Sequence, residues 1–96
     1  MQAVNITNEE LARELIPLIG GKSNITNIGA CITRLRLELK DLTVVDDEAI
    51  KSLGAMGVIR VGSTGLQIIL GSKAQFVADI ITQSNDTSEE QMVAYP

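Results

Sequence analysis

From Thr33 to Lys40 the chain alternates, with Leu35, Leu37 and Leu39 at every second position and Arg34, Arg36, Glu38 and Lys40 between them. A period of two is that of a β-strand, whose successive side chains point to opposite faces. One face apolar and the other charged implies a sheet covered on one side only, which favours antiparallel pairing. A fold for this chain must therefore lay a layer over the leucines and leave the arginines open. On such a strand the Cα atoms of Arg34 and Arg36 lie roughly 6.5 Å apart on one face. Two guanidiniums at that separation can converge on one dianion, because their planar forks of donors match phosphate oxygens.

The other elements arrange themselves around that strand. Thr7 is placed as an N-cap, Glu10 completes a Thr-x-x-Glu capping box, and Ile6 is set to staple against Leu11. Leu11, Leu15, Leu18 and Ile19 predict a helix from about Asn8 to Ile19, with a kink or early end at Pro17 and a stop at Gly20-Gly21. Asn24 to Ala30 reads as a first strand, with Ile28, Ala30 and Ile32 in alternation. Asp46 caps a second helix, flanked by a Val45–Ile50 staple and stopped at Gly54. A strand from about Met56 to Val61, a hairpin turn at Gly62-Ser63-Thr64-Gly65 and a strand from Leu66 to Leu70 follow. Leu66, Ile68 and Leu70 are expected to face the core, and Gln67 and Ile69 the other side. Ser72 is placed to cap a third helix, with Gln75 in the box position and Phe76, Val77, Ile80 and Ile81 as its buried stripe. The order α-β-β-α-β-β-α predicts an α+β two-layer sandwich, a four-stranded, largely antiparallel sheet with three helices on one face. Residues 1–83 are read as that domain. From about Ser84 the composition turns to Ser, Asn, Asp, Thr, Glu and Gln, which predicts a flexible polar tail or linker over 84–96.

Composition excludes several function classes. Ninety-six residues suffice for one hydrophobic core and not for two. Phe76 and Tyr95 are the only aromatics, so the core must be aliphatic and no platform exists for stacking nucleic-acid bases. A net charge of −4 disfavours a nucleic-acid backbone as partner, although Arg34, Arg36 and Arg60 would make a local basic island. A single cysteine forbids an internal disulfide and fits a reducing compartment. No signal-peptide pattern is visible and no apolar run approaches the roughly 18 residues that span a bilayer, so the expectation is a soluble, cytoplasmic chain. With no histidine and no second cysteine, neither a metal site nor a cofactor is expected. There is no Gly-x-x-x-x-Gly-Lys loop for nucleotides. A cysteine-phosphatase loop would need arginine six positions after the cysteine, where this chain has Leu37.

The hexapeptide Cys31-Ile32-Thr33-Arg34-Leu35-Arg36 carries the chemistry. Cys31 is the one side chain able to act readily as a nucleophile at neutral pH, and a thiol becomes reactive where neighbouring cations favour its thiolate. A thiol beside two arginines suggests a phosphoryl group carried on sulfur. Read alone, the same hexapeptide also fits a small buried hydrophobe with solvated strand charges. On the first reading Arg34 and Arg36 lower the thiol pKa and hold phosphate oxygens. Thr33 offers its hydroxyl, and Ile32, Thr33 and Arg34 their N–H groups, as a small anion nest. Gln67 is either a phosphate or partner contact or a plain solvent-facing strand residue. Arg60 reads as a surface charge, and Asp46, Asp47 and Glu48 as a helix cap with its dipole complement, not paired catalytic acids.

These segments closely resemble the IIB domain of the sugar phosphotransferase system, in its glucose and N-acetylglucosamine branch. The resemblance covers the chain from Leu11 to about Ile81. It is carried by Ala30 through Arg36, preceded by Asn24-Ile25-Thr26-Asn27, and by Leu53-Gly54-Ala55-x-Gly57-Val58, Gly65-Leu66-Gln67-Ile68-Ile69 and Gly71. One departure is Gly29, where this branch typically has Asp before the Ala-Cys pair. The resemblance implies that Cys31 accepts a phosphoryl group from a phosphohistidine on a IIA domain. It further implies that Cys31 passes the group to a sugar bound by a membrane-embedded IIC domain, and that the chain works at the inner face of the membrane. A phosphotransferase component is the implied activity. A module of the same fold that only docks a partner, with an incidental cysteine, is the alternative.

Overall fold

The computed structural model describes residues 7–83. Helix α1 spans Asn8–Leu18. Thr7 Oγ1 accepts from the Glu10 N–H while the Glu10 carboxylate accepts from the Thr7 N–H, the reciprocal capping box expected from the sequence. Ile6, the expected staple residue, lies outside the described residues. Pro17 falls in the last turn, and the helix ends one residue short of the predicted Ile19, which becomes its C-cap. Gly21 N–H then bonds to the Ile16 carbonyl and Gly20 N–H to the Pro17 carbonyl, a Schellman closure that needs the left-handed φ of +93° at Gly20.

Strand β1 covers Ile25–Ala30, β2 Arg34–Leu39, β3 Gly57–Val61 and β4 Gly65–Ile69. All three pairings are antiparallel and the sheet order is β1-β2-β4-β3, so β2 and β4 are central and β1 and β3 are edges. Asn24 was expected to open β1. It instead ends a 3-10 turn, Lys22–Asn24, because its side chain is drawn inwards to the backbone of Ile19 and Asp41. A register shift between Ile25 and Asn27 makes Thr26 a bulge residue. The extra residue lets Ile25 and Ile28, three apart, both meet core-facing partners, Leu39 and Leu37.

Helix α2, Asp47–Ser52, is capped by Asp46, whose carboxylate accepts from the Ala49 N–H, and it gives way to Gly54 at φ +111°. Asp46 N–H also bonds to the Leu18 carbonyl, tying the start of α2 to the end of α1. Ser72 does not serve as the simple cap expected of it. It sits inside a 3-10 turn, Gly71–Lys73, from which helix α3 continues over 74–83. The Gln75 amide bonds forward to Asp79 rather than back to a cap. Phe76 was expected in the buried stripe and is instead 58% exposed. The buried positions are Ala74, Val77, Ala78 and Ile81, an i, i+3, i+4, i+7 set that turns Phe76 about 200° away from Ala74.

Three helices and one sheet face share a single aliphatic core. Leu11, Leu15 and Ile19 meet Leu35, Leu37, Leu39, Leu66 and Ile68 there, together with Ile50, Val77 and Ile81. This is the α+β sandwich that the element order predicts. The other sheet face keeps Arg36, Glu38 and Gln67, with Gly29 and Gly65, and lacks a covering layer among the described residues.

Candidate active site

Cys31 lies one residue past β1, at the start of the turn that leads into β2. Its N–H bonds to the Arg34 carbonyl at 2.9 Å, closing a tight hairpin whose loop residues are Ile32 and Thr33. No residue of that turn takes a positive φ. The Thr33 carbonyl accepts two bonds, from Leu70 N–H at 2.9 Å and Gly71 N–H at 3.0 Å, which pins the turn to the end of β4.

The thiol itself is exposed. The backbone N–H of Arg34 is the foremost of the groups that hold its pKa below the ordinary thiol value. Partial desolvation pushes the other way, and the Thr33 N–H, a hydrogen bond from the Arg36 side chain and the Arg36 charge add to the lowering. Sulfur thus occupies the place an N-cap oxygen takes, facing the N–H groups two and three residues on. A thiolate is favoured here by oriented donors and one cation, without burial.

Sequence reasoning put Arg34 and Arg36 on one face, and the two heads do different things. Arg36 helps to hold the thiol pKa down, whereas Arg34 Nη1 donates to Gln67 Oε1 at 2.8 Å. Gln67 is half-buried on β4, directly across from Arg36. The N–H groups of Thr33 and Arg34 meet sulfur. Ile32, also expected in the nest, is 84% exposed. Met56, 69% exposed, lies against Gly71 at the same end of the sheet, so apolar surface adjoins the thiol. Glu38, on the same face as Arg36, is occupied by the Thr64 hydroxyl at 2.7 Å.

Arg60 does not join a basic island. It pairs across the strands with core-facing Leu66, which places it on the opposite sheet face from Gln67. Its guanidinium bonds to the Leu42 carbonyl at 3.0 Å and forms an ion pair with Asp47 at 2.8 Å. Sequence reasoning missed the anchoring role of Leu70 and Gly71. The signal was Gly71 itself, whose φ of +74° turns the chain as β4 ends. An open groove of about 300 Å³ runs from Arg36 and Gln67 over Gly29 and Gly65. A Cβ at Gly29 would meet nothing within 4 Å, so the departure at that position is sterically open.

Residues 13–46 match the family described as phosphotransferase system, EIIB. The chain is similar to the N-acetylglucosamine-specific EIICBA component of Klebsiella pneumoniae, 44% identical over 70 residues, 73% of this chain. It is similar also to the glucose-specific EIICBA component of Staphylococcus carnosus, 38% identical over 94 residues, 95% of this chain. The chain spans only 11% and 14% of the length of these two relatives. A solved domain of a phosphotransferase-system IIabc component from Clostridium difficile superposes with a TM-score of 0.63 at 30% identity, covering 91% of this chain and 82% of that one. Family match, relatives and fold agree, and the chain belongs to the EIIB family of the sugar phosphotransferase system, a family of phosphotransferase components.

Proposed function

We propose that this chain is a phosphoryl carrier of a glucose-type sugar transporter, and that Cys31 is the residue phosphorylated. The observation that carries the reading is the exposed Cys31 thiol in the β1–β2 turn, whose pKa is held down by the N–H groups of Arg34 and Thr33 and by Arg36. Phosphoryl transfer asks a protein chiefly for positioning and charge stabilisation, and those groups supply both. The donor is a phosphohistidine on a IIA domain. The Cys31 thiolate attacks phosphorus, an S–P bond forms, the P–N bond breaks, and its electron pair returns to the imidazole. In the second half a sugar hydroxyl held by a IIC domain attacks phosphorus. The S–P bond then breaks with its electrons returning to sulfur, and the hydroxyl proton leaves to a base on the acceptor side. A thiolate kept below its ordinary pKa serves both halves, as nucleophile and as leaving group.

Arg36 stabilises sulfur before transfer. Arg34 and Arg36 take phosphoryl oxygens after it, with the N–H groups of Ile32 and Thr33 and the amide of Gln67 as neutral donors. Exposed Ile32 and Met56 offer apolar contact to both partner domains. Residues 1–83 act as the carrier domain, tethered through IIC to the cytoplasmic face of the membrane. Two relatives named as EIICBA components, single chains that join C, B and A parts, support this choice of partners. Among the described residues no helix is long and apolar enough to cross a membrane.

The test is incubation of the chain with phosphorylated upstream carriers, read by intact mass. One phosphate is expected on the parent chain and none on Cys31→Ser. Labelling that survives in Cys31→Ser refutes the assignment. Arg34→Lys and Arg36→Lys are expected to fold normally and transfer more slowly, since Lys keeps the charge and loses the fork.

A further inference from the structure

Gln67 stands directly across the β2–β4 ladder from Arg36, while the cross-strand partner of Arg34 is Ile69. Yet the amide oxygen of Gln67 accepts from Arg34, diagonally, at 2.8 Å, in a half-buried bond between strands. Of the two guanidiniums, it is that of Arg36 that helps to hold the Cys31 thiol pKa down. We propose that Gln67 is a positioning residue that holds the Arg34 guanidinium over β4, keeping it off the resting thiolate and in reserve for the phosphorylated sulfur. The proposal rests on the carrier reading above.

The chemistry favours such a division. Two guanidiniums turned on one thiolate would repel each other, and the deeper fall in pKa would cost intrinsic nucleophilicity. A neutral amide oxygen restrains a cation without neutralising it, whereas a carboxylate in the same place would form a charge-assisted pair and hold it permanently. Glu38, the acid on the same face of β2, is occupied by Thr64 Oγ1 at 2.7 Å. Once sulfur carries a dianionic phosphoryl group, that group is a stronger acceptor than an amide oxygen, and Arg34 transfers to it. The two arginines of Cys-x-x-Arg-x-Arg therefore act in sequence, Arg36 first and Arg34 second.

The experiment is the pH profile of Cys31 alkylation by iodoacetamide on the full chain, which needs no partner domain. Gln67→Ala and Gln67→Met, the latter keeping length without an amide acceptor, are first matched to the parent by circular dichroism and urea midpoint. Arg36→Ala is expected to raise the alkylation midpoint, and Arg34→Ala to leave it within about 0.2 pH units. Releasing Arg34 through Gln67→Ala or Gln67→Met is expected to lower it by about half a pH unit, and the double variant Arg34→Ala/Gln67→Ala to restore the parental value. Gln67→Glu, which fixes Arg34 in an ion pair, is expected to slow phosphoryl transfer about tenfold. An unshifted midpoint in the Gln67 variants, or a shift that persists without Arg34, overturns the proposal and leaves the carrier reading intact. A chain that alkylates normally but takes no phosphate overturns the carrier reading, and this proposal with it.

Discussion

Asn24→Ala is expected to cost this fold about 3 kcal/mol, because one buried amide makes three separate bonds there at about 1 kcal/mol each. Asn24 is the only buried polar residue among those described, with 8% of its surface exposed. Its Nδ2 donates to the Ile19 carbonyl at 2.8 Å and to the Asp41 carbonyl at 2.9 Å, and its Oδ1 accepts from the Asp41 N–H at 3.0 Å. The first bond finishes the C-terminus of α1, and the other two hold the strand leaving β2 beside the start of β1. Truncation leaves those backbone groups without the partners that Asn24 supplies, at a position that is almost wholly buried. For a domain whose total stability is about 5–10 kcal/mol, that loss is a third or more. In urea, with m near 1 kcal/mol/M, the midpoint should fall by about 3 M at unchanged m. Asn24→Asp sharpens the test. At pH 7 its carboxylate would face two carbonyls, so it should be at least as damaging as alanine, and partial recovery is expected as acid restores one O–H donor. An alanine variant within about 1 kcal/mol of the parent, or an aspartate variant that is tolerated at neutral pH, would show that the hub does not hold the chain.

Gly29→Ala should be neutral within about 0.5 kcal/mol, whereas Gly65→Ala, whose Cβ would stand 2.6 Å from the Val61 carbonyl oxygen, should lower the urea midpoint markedly and disturb the β3–β4 hairpin. Arg60→Ala should lose about 1 kcal/mol of stability, since the Asp47 pair is partly exposed, while the Cys31 alkylation profile stays put because Arg60 lies on the other sheet face. Asp41 is held below the usual carboxylate value of 3.8 mainly by the Thr43 hydroxyl and then by the Thr43 N–H. A lowered folded-state pKa contributes stability that is complete above the unfolded value and lost as pH falls through the folded one. The stability gap between the parent and Thr43→Val should accordingly be constant near neutrality and shrink below pH 3.8, and urea midpoints taken from pH 7 to pH 2 check it.

What the sequence disclosed was whatever depends on neighbours within one element. The leucines of β2 and Leu66 and Ile68 of β4 follow a strict period of two, so their burial was legible, as was the Thr7–Glu10 box. The bulge at Thr26 was not, because an isoleucine spacing of three between Ile25 and Ile28 fits neither a clean strand nor a helix. Phe76 misled because bulk was taken for burial. The face of α3 is fixed by Ala74 and Ala78, small residues whose apolar signal is weak. At the candidate site, alternation put Arg34 and Arg36 on one face, but the direction of the Arg34 head is set by Gln67, 33 residues later in the chain. Arg60 is the surface charge expected, but its exclusion from the basic island was not legible, since its face follows from the register of β3 on β4 and not from its own segment.

The position of the cysteine has a backbone reason. Inside the central strands β2 and β4, N–H and C=O groups are alike consumed by the ladders on either side, and no surplus of either sign remains. At the β1–β2 turn the balance is broken in one direction. The Arg34 carbonyl is taken by the Cys31 N–H, and the Thr33 carbonyl is taken twice, by Leu70 and Gly71. The N–H groups of Thr33 and Arg34 then favour a thiolate on Cys31. A turn in which two carbonyls are tied down while two N–H groups serve one sulfur is an anion site before any side chain is added. Arg36, carried in on the open face of β2, adds a full charge to donors already aimed. The leucines of that same strand, by fixing which face is covered, decide that the guanidinium stays in water where an incoming phosphoryl group can meet it.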